Sequence, residues 1–165
     1  MAESPRTDPI NPTDDTARAQ ARALIAGAAH AALAVIEADT GHPFVSRIAL
    51  AQTPDGAPMS LISTLSAHTR ALLADPRCAL LIGEPGRGDP LAHPRLTLRA
   101  AARFADGAED AALRAHFAAL RPKARLYAGF ADFRVVVFAP HSAALNGGFA
   151  RAYALTADDL RGAAG

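Results

Sequence analysis

The spacing of short apolar runs between tight turns constrains this fold more than any other feature. Ala31–Ala38 and Phe44–Ala51 are joined by five residues, and a turn over Thr53–Pro58 leads into Met59–Ser63. Runs bounded by Gly, Pro and Asp predict strands, and connections this short join antiparallel neighbours. The pattern therefore predicts a three-stranded antiparallel meander. It excludes a doubly wound parallel sheet, which requires helices between most of its strands.

The remaining chain supplies more short strands and a few helices. The helical spacing of alanine and leucine after Thr16 predicts a first helix that ends near Gly27 to His30, and Asp75–Pro76 ends a second. Together these elements predict a mainly β, α+β domain, namely a six-stranded antiparallel barrel that carries helices. The other predicted strands are Cys78–Gly83, Arg95–Phe104 and Arg134–Phe138, and the other predicted helices are Ser66–Ala74 and a segment from about Glu109.

Composition limits the class of protein. A chain of 165 residues suits one domain, which we place at residues 16–165 behind a loose tail at residues 1–15. The net charge of +1 predicts no strong attraction to nucleic acid or to an anionic membrane. Cys78 is the only cysteine, so we expect no internal disulfide and a reducing, cytoplasmic location. No cluster of His, Asp or Glu has the spacing of metal ligands, so no metal is predicted.

A single arginine interrupts the second apolar run. Arg47 stands between Ser46 and Ile48, in a segment that otherwise reads as buried. A buried arginine needs an anion or a path to water, because an unpaired charge in an apolar environment is costly. From this segment alone two interpretations stay open: an anion-binding arginine, or an arginine that faces outward from a half-exposed strand.

A polar cluster lies where the third predicted strand ends and a helix begins. Hydroxyl groups, unpaired backbone N–H groups and the positive end of a helix dipole meet there, an arrangement with which proteins hold phosphate. The same residues also suit an ordinary helix N-terminus that binds no ligand. The polar members of this cluster are Ser63, Thr64, Ser66, His68, Thr69 and Arg70.

The order of these segments resembles a known family. The stretches FVSRIALAQTPDGAPMSLIS, LSAHTRALLADPRCALLI, GDPLAHPRLTLRAAA, DFRVVVF and GGFARAYAL follow one another as in the FMN-binding split-barrel proteins related to pyridoxamine 5′-phosphate oxidase, in particular the haem-utilisation (HugZ-type) branch. The resemblance extends from about Ala17 to Leu160. It implies a homodimer of six-stranded split barrels with FMN bound across the subunit interface.

The resemblance assigns the flavin phosphate to two parts of the chain. Arg47 matches the family's phosphate-binding arginine, and the start of the helix after the third strand supplies the other ligands. Gln52 stands where the oxidases carry a phosphate-binding lysine, so one positive charge is missing. The residues that match the phosphate cluster at the helix are Ser63, His68 and Thr69.

The resemblance also implies contacts with the flavin ring. The second strand would pass beside the isoalloxazine and offer it backbone groups. Arg95, at the start of the fifth predicted strand, falls where the family reaches into the flavin of the neighbouring subunit. The residues that would pass beside the ring are Ile48, Ala49 and Leu50.

Two departures from the family pattern limit the chemistry. The chain lacks the arginine and histidine motif with which pyridoxamine phosphate oxidases end, so oxidation of that substrate is not expected. The haem-degrading branch carries histidines just ahead of its Gly-Gly-Phe motif, and residues 142–146 contain none. His141 lies next to this stretch, where it either replaces those histidines or is a solvated loop residue.

Three functions follow from the resemblance. The first is an FMN-dependent oxidoreductase, in which the flavin supplies the redox chemistry and the protein binds and orients it. The second is a module that binds or carries flavin or haem without turnover. The third is a split-barrel dimer that has lost its cofactor, which the missing lysine at Gln52 favours. The sequence identifies no catalytic side chain, substrate or electron donor.

Overall fold

The computed structural model describes residues 9–161, in which helices pack against a single sheet. The sheet has nine strands, and their pairings are antiparallel except for one parallel pair between the first strand and the last. The strands are β1 (Ile10–Asn11), β2 (His30–Ile36), β3 (Pro43–Ala49), β4 (Ala51–Gln52), β5 (Pro58–Ser63), β6 (Arg77–Ile82), β7 (Arg95–Phe104), β8 (Phe133–Asn146) and β9 (Ala152–Thr156).

The order of pairing shows how the sheet curves back on itself. From β3 the hydrogen-bonded neighbours run through β2, β6 and β7 to β8, and β8 also pairs with β5. β5 pairs with β4, which follows β3 after Leu50 alone. The sheet therefore encloses an apolar interior, while no described strand pairs with the edge of β3 that faces away from β2.

The mixed α+β architecture with a mostly antiparallel sheet is confirmed, but the predicted count of six strands is too low. β1 and β9 are absent from the prediction, and the second predicted strand is divided at Leu50 into β3 and β4. The predicted meander is incomplete, because β5 forms its ladder with β8 and not with β3. β8 continues past the predicted end at Phe138 to Asn146, because β9 folds back and pairs with its second half.

Four helices cover the sheet. The larger core cluster lies between the sheet, the first two helices and the last, with Leu33, Leu80 and Phe138 fully buried in it. A smaller cluster surrounds Phe117 of the third helix. No helix within residues 9–161 is long and apolar enough to span a membrane. The helices are α1 (Asp15–Gly27), α2 (Ala67–Ala74), α3 (Gly107–Leu120) and α4 (Ala157–Leu160), with short 3₁₀ turns at Pro90–Ala92 and Pro122–Leu126.

The N-terminal region differs from the predicted loose tail in the part that is described. Residues 1–8 of that tail lie outside the described residues, whereas Ile10–Asn11 forms β1 and pairs with β9. α1 begins one residue before the predicted cap at Thr16, because the carboxylate of Asp14 accepts a hydrogen bond from the N–H of Ala17 at 2.8 Å. Aspartate caps a helix at least as well as threonine.

The helix α4 is tied to α1 through one carboxylate. Asp159 accepts hydrogen bonds from Nε of Arg18 at 2.6 Å and from the backbone N–H of Thr156 at 2.8 Å. The bond from Arg18, and after it the bonds from Thr156, hold the pKa of Asp159 at about 2, below its ordinary value of 3.8. The ionised carboxylate is therefore favoured in the folded state.

We predict that Asp159 stabilises the fold only where it is ionised. Because its pKa is lower in the folded state, its contribution is present above about pH 4 and is lost as the pH falls towards about 2. Asp159→Asn should lower the free energy of unfolding at neutral pH and flatten its decline in acid, as measured by urea titration across this range. Asp158→Asn is the matched control, since Asp158 pairs with Arg161 on the exposed surface. An acid decline as steep in Asp159→Asn as in the wild type would contradict the prediction.

Candidate functional site

The strand β3 presents two different faces. Ile48 points into the core, whereas Val45 and Arg47 point outward and are exposed. On the outer face Arg47 lies in register with Ala32 of β2, which is in turn in register with Leu81 of β6. No hydrogen bond or ion pair joins the Arg47 guanidinium to another described residue. Arg47 is therefore an outward-facing arginine whose charge is available to an anion.

The unpaired edge of β3 carries backbone groups that face away from β2. Leu50 donates its N–H to the carbonyl of Ala29 at 2.9 Å, on the side of β2. Because backbone groups alternate along an antiparallel pair, those of Ile48 also face β2, and those of Arg47 and Ala49 face the unpaired edge. A hydroxyl of β5 donates to the Ala49 carbonyl at 2.6 Å. None of the described strands pairs with the Ala49 N–H at this edge.

A hydrogen bond joins β3 to the start of α2. The Ser46 hydroxyl lies 2.9 Å from Nδ1 of His68, in the first turn of the helix. Burial lowers the pKa of His68, because removal of water disfavours the charged imidazolium. Ser46 and Arg47 are consecutive and point to opposite faces of β3. A ligand that contacts both His68 and Arg47 must therefore cross the unpaired edge of the strand.

Two hydroxyls of the predicted phosphate cluster are engaged within the protein. Ser63 donates its hydroxyl to a carboxylate oxygen of Asp132 at 2.6 Å and accepts a hydrogen bond from the N–H of Leu65 at 3.1 Å. Thr69 is fully buried and donates its hydroxyl to the Ser63 carbonyl at 2.6 Å. Both side chains thus shape the turn that leads into α2, and the carboxylate of Asp132 disfavours another anion beside Ser63.

The free donors of the cluster lie at the first turn of α2. Ser66 occupies the N-cap position, but its side chain makes no capping hydrogen bond. The first N–H groups of a helix have no partner within it, which adds the amides of Ala67 and His68. The Thr64 N–H and the Arg70 guanidinium donate to nearby backbone carbonyls, at 2.7 and 2.8 Å. The hydroxyls of Thr64 and Ser66 and the two amides therefore remain as uncharged donors for a ligand, and the Arg70 guanidinium keeps N–H groups that no described residue engages.

Gln52 and Arg95 lie away from this edge. The Gln52 side chain donates to the Gly56 carbonyl at 2.9 Å, so the turn between β4 and β5 holds it. Arg95 donates to two carbonyls of the loop before β7, at 3.0 and 3.3 Å. Because β7 is three strands from β3, Arg95 and Arg47 are on the order of 14 Å apart across the outer face. Within one chain the backbones of the two arginines are thus three strands apart.

His141 occupies a strand bulge and not the loop in which the sequence interpretation places it. Arg99 of β7 is in register with Ser142 and Ala100 with Pro140, which leaves His141 as the extra residue of β8. A bulge redirects its side chain, and His141 lines an apolar cleft of about 760 Å³ on the outer face of the sheet. Other residues that line this cleft are Ala34, Ile36, Arg77, Ala79 and Arg99.

Sequence reasoning misses several residues that shape this region. Ser46 is a polar residue in an apolar run. Side chains alternate along a strand, so an outward-facing Arg47 next to it is the only sequence signal that Ser46 points inward. Asp132 precedes a strand and reads as a turn residue. Its bond to Ser63 joins segments 69 positions apart, which no local pattern predicts. Within residues 9–161, no three His, Cys, Asp or Glu side chains gather as a metal site.

The large, mostly antiparallel sheet with its helices is the mixed α+β architecture expected from the resemblance, and comparison with known families supports the same class. The family model described as pyridoxamine 5′-phosphate oxidase matches residues 17–146. The chain therefore belongs to this family, and the resemblance on which the sequence analysis relied is confirmed. The matched range includes β3, α2 and the bulge at His141.

Known relatives extend the comparison to haem proteins. The chain is 34% identical over 115 residues to the chloroplastic haem oxygenase HOZ of Arabidopsis thaliana, which covers 68% of this chain and 34% of the relative. It thus spans about a third of the length of that curated relative. A structure of a haem-binding protein from Mycobacterium smegmatis is 29% identical with a TM-score of 0.80, covering 92% of this chain and 61% of that one. A protein of unknown function from Agrobacterium tumefaciens is 30% identical with a TM-score of 0.80, covering 94% and 66%.

We predict that Ser63 and Ser66 contribute differently to stability in the absence of any ligand. Ser63→Ala removes the donor to Asp132 and the acceptor for Leu65, which should lower the free energy of unfolding by about 1–2 kcal/mol. Ser66→Ala is the matched control, because this hydroxyl makes no capping bond and its loss should change that free energy by less than about 0.5 kcal/mol. Chemical denaturation of the three proteins measures the difference. Equal losses in the two variants would show that the hydrogen bonds of Ser63 add nothing to stability.

Proposed function

We propose that this protein is an FMN-binding oxidoreductase of the split-barrel class, with an unidentified substrate and electron donor. The observation that carries the proposal is the bond between Ser46 and His68, at 2.9 Å. It joins the start of α2 to the residue next to Arg47, although the two segments are separate in the sequence. The unpaired Arg47 and the free donors at the start of α2 therefore both lie beside β3.

The donors at this strand suit a phosphate ester. A phosphate dianion takes several N–H and O–H donors and at least one cation. Arg47 supplies the cation, and Ser66 with the amides of Ala67 and His68 supplies uncharged donors at the positive end of α2. Gln52 is the weak point of the fit, because its amide is held by Gly56 and carries no charge. The remaining set nevertheless provides both charge and hydrogen bonds.

The edge of β3 suits the flat part of the cofactor. The Ala49 N–H faces this edge without a strand partner and is a donor for a ring heteroatom. Leu50 offers less than the resemblance implies, because its N–H and its carbonyl both bond within the protein. When bound, FMN supplies hydride transfer, and the chain's own groups need only hold the cofactor and exclude water.

A homodimer is part of this proposal. The outer face of the sheet carries small alanines and exposed apolar side chains, including Val45 at 61% exposure and Leu81 at 48%. An exposed apolar face of a sheet is a common site of protein–protein contact, so we propose that a second copy of this chain covers it. The distance between Arg47 and Arg95 in one chain supports the same arrangement, in which Arg95 reaches the flavin held by the other chain.

We predict a dimer in sedimentation equilibrium at micromolar concentration. Leu81→Glu places a charge in the middle of the outer face and should shift the protein towards monomer without loss of folding, because Leu81 is already half exposed. Leu91→Glu is the control, since Leu91 is more exposed and lies in the loop before β7. A wild-type monomer would contradict the dimer. A Leu81→Glu dimer as stable as the wild type would exclude this face as the interface.

Haem binding is a second candidate function. His141 lines the apolar cleft on the outer face together with Arg77 and Arg99. Imidazole is a common haem ligand, and arginine suits the carboxylates of the porphyrin. The names of the Arabidopsis and Mycobacterium relatives concern haem, which supports this candidate. The cleft lies on the face that we propose to be buried in the dimer, so a haem there would sit between the two copies.

The visible spectrum of the purified protein and FMN titration test the proposed function. An absorption band at about 450 nm is expected if the protein binds FMN. A porphyrin spectrum would favour haem binding instead. Arg47→Gln should weaken FMN binding about ten- to a hundredfold, the effect of losing one charge-assisted bond of roughly 1.5–3 kcal/mol. Arg87→Gln is the control, because Arg87 is exposed in the loop before β7. Equal affinity of the two variants would remove Arg47 from the site.

A further inference from the structure

We infer that Arg121 is a positioning residue for the flavin-binding edge of β3. This inference rests on the proposed function. Arg121 ends α3, outside the segments that the sequence analysis assigns to the cofactor. Its guanidinium donates to the carbonyl of Leu50 at 2.7 Å and to that of Ala28 at 2.7 Å. It also donates to the carbonyl of Leu120 at 2.9 Å.

These carbonyls belong to three different elements. Ala28 is the C-cap of α1, Leu50 separates β3 from β4, and Leu120 is the last residue of α3. Each lies where a regular hydrogen-bond pattern ends, so its oxygen lacks a partner in a helix or a ladder. A guanidinium presents five N–H donors in a rigid plane and can bond several carbonyls at once, which an ammonium cannot do with the same geometry. Arg121 therefore fixes the end of β3 against two helices.

The position of the Ala49 N–H follows from these contacts. On one side Ile48 is held by the ladder with β2. On the other side Leu50 is held at its N–H by Ala29 and at its carbonyl by Arg121. The Ala49 N–H shares a peptide unit with the Ile48 carbonyl, which faces β2 in the ladder, so β2 sets the direction of this N–H. Arg121 holds the carbonyl two peptide units further on, and without it the end of β3, together with this N–H, can shift relative to α1 and α3.

The inference concerns position and not contact. Arg121 donates its three hydrogen bonds to backbone oxygens of its own chain, so we assign its effect to the position of the strand. Its neighbour Arg125 provides a matched control, because it lies in the next turn, is exposed, and forms no hydrogen bond or ion pair with the described residues. Both substitutions remove one positive charge from the same segment, so a loss of affinity caused by the change in net charge alone would appear in both variants.

The test is FMN titration, followed by quenching of flavin fluorescence, with wild type, Arg121→Gln, Arg121→Lys and Arg125→Gln. We expect Arg121→Gln to weaken FMN binding roughly tenfold, Arg125→Gln to change it by less than about twofold, and Arg121→Lys to lie between them because an ammonium restores one bond. The titrations are made well below the unfolding midpoint of each variant. The absorption band of saturated FMN should also shift in Arg121→Gln alone, which simple loss of stability would not cause.

The outcomes separate the two proposals. If the wild type binds FMN and Arg121→Gln binds it as tightly as Arg125→Gln, with an unchanged flavin band, the positioning role is wrong and the proposed function stands. If the wild type binds no FMN, the proposed function fails and the positioning role fails with it. Should Arg121→Gln not fold, Arg121→Lys decides, because an affinity and a band equal to those of Arg125→Gln would overturn the inference.

Discussion

The edge of β3 that has no strand partner is the constraint on which the candidate site depends. An antiparallel sheet that curves back on itself satisfies its backbone groups by pairing neighbouring strands. Here β4 and not β3 pairs with β5, because the chain changes direction at Leu50. The break leaves the edge of β3 that faces away from β2 without a described strand partner, whereas β4 after the break pairs with β5. Arg121 donates to the carbonyl at the break, and we propose that the N–H of Ala49, just before the break, binds the cofactor.

The same edge separates the groups that would bind one cofactor. Arg47 lies on the outer face of β3, whereas the start of α2 is joined to the inner face through Ser46 and His68. A phosphate ester that crosses the edge can contact both, whereas a ligand confined to one face cannot. The outer face is also where the two other proposals lie, since we propose its exposed apolar residues as the dimer interface and its cleft beside His141 as the place for haem.

Membership of the pyridoxamine 5′-phosphate oxidase family does not decide between these ligands. The curated relative is a haem oxygenase of which this chain covers about a third, so its activity is a proposal for this protein. The strongest structural distinction is the location of the two sites. Flavin would use the edge of β3, and haem would use the bulge of β8, so variants at Arg47 and at His141 distinguish the two candidate functions in solution.

The sequence by itself determined the local elements and the class of fold. Alternation and turn residues marked six of the strand segments, and the ordered motifs marked the family, since both signals lie within short stretches of chain. Only the tertiary structure decided which donors stay free. Ser63 and Thr69 look like phosphate ligands in the sequence, yet their hydroxyls are engaged by Asp132 and by the backbone. Arg121 carries no local signal, because two of its three partners lie 71 and 93 positions away and come close to it only on folding.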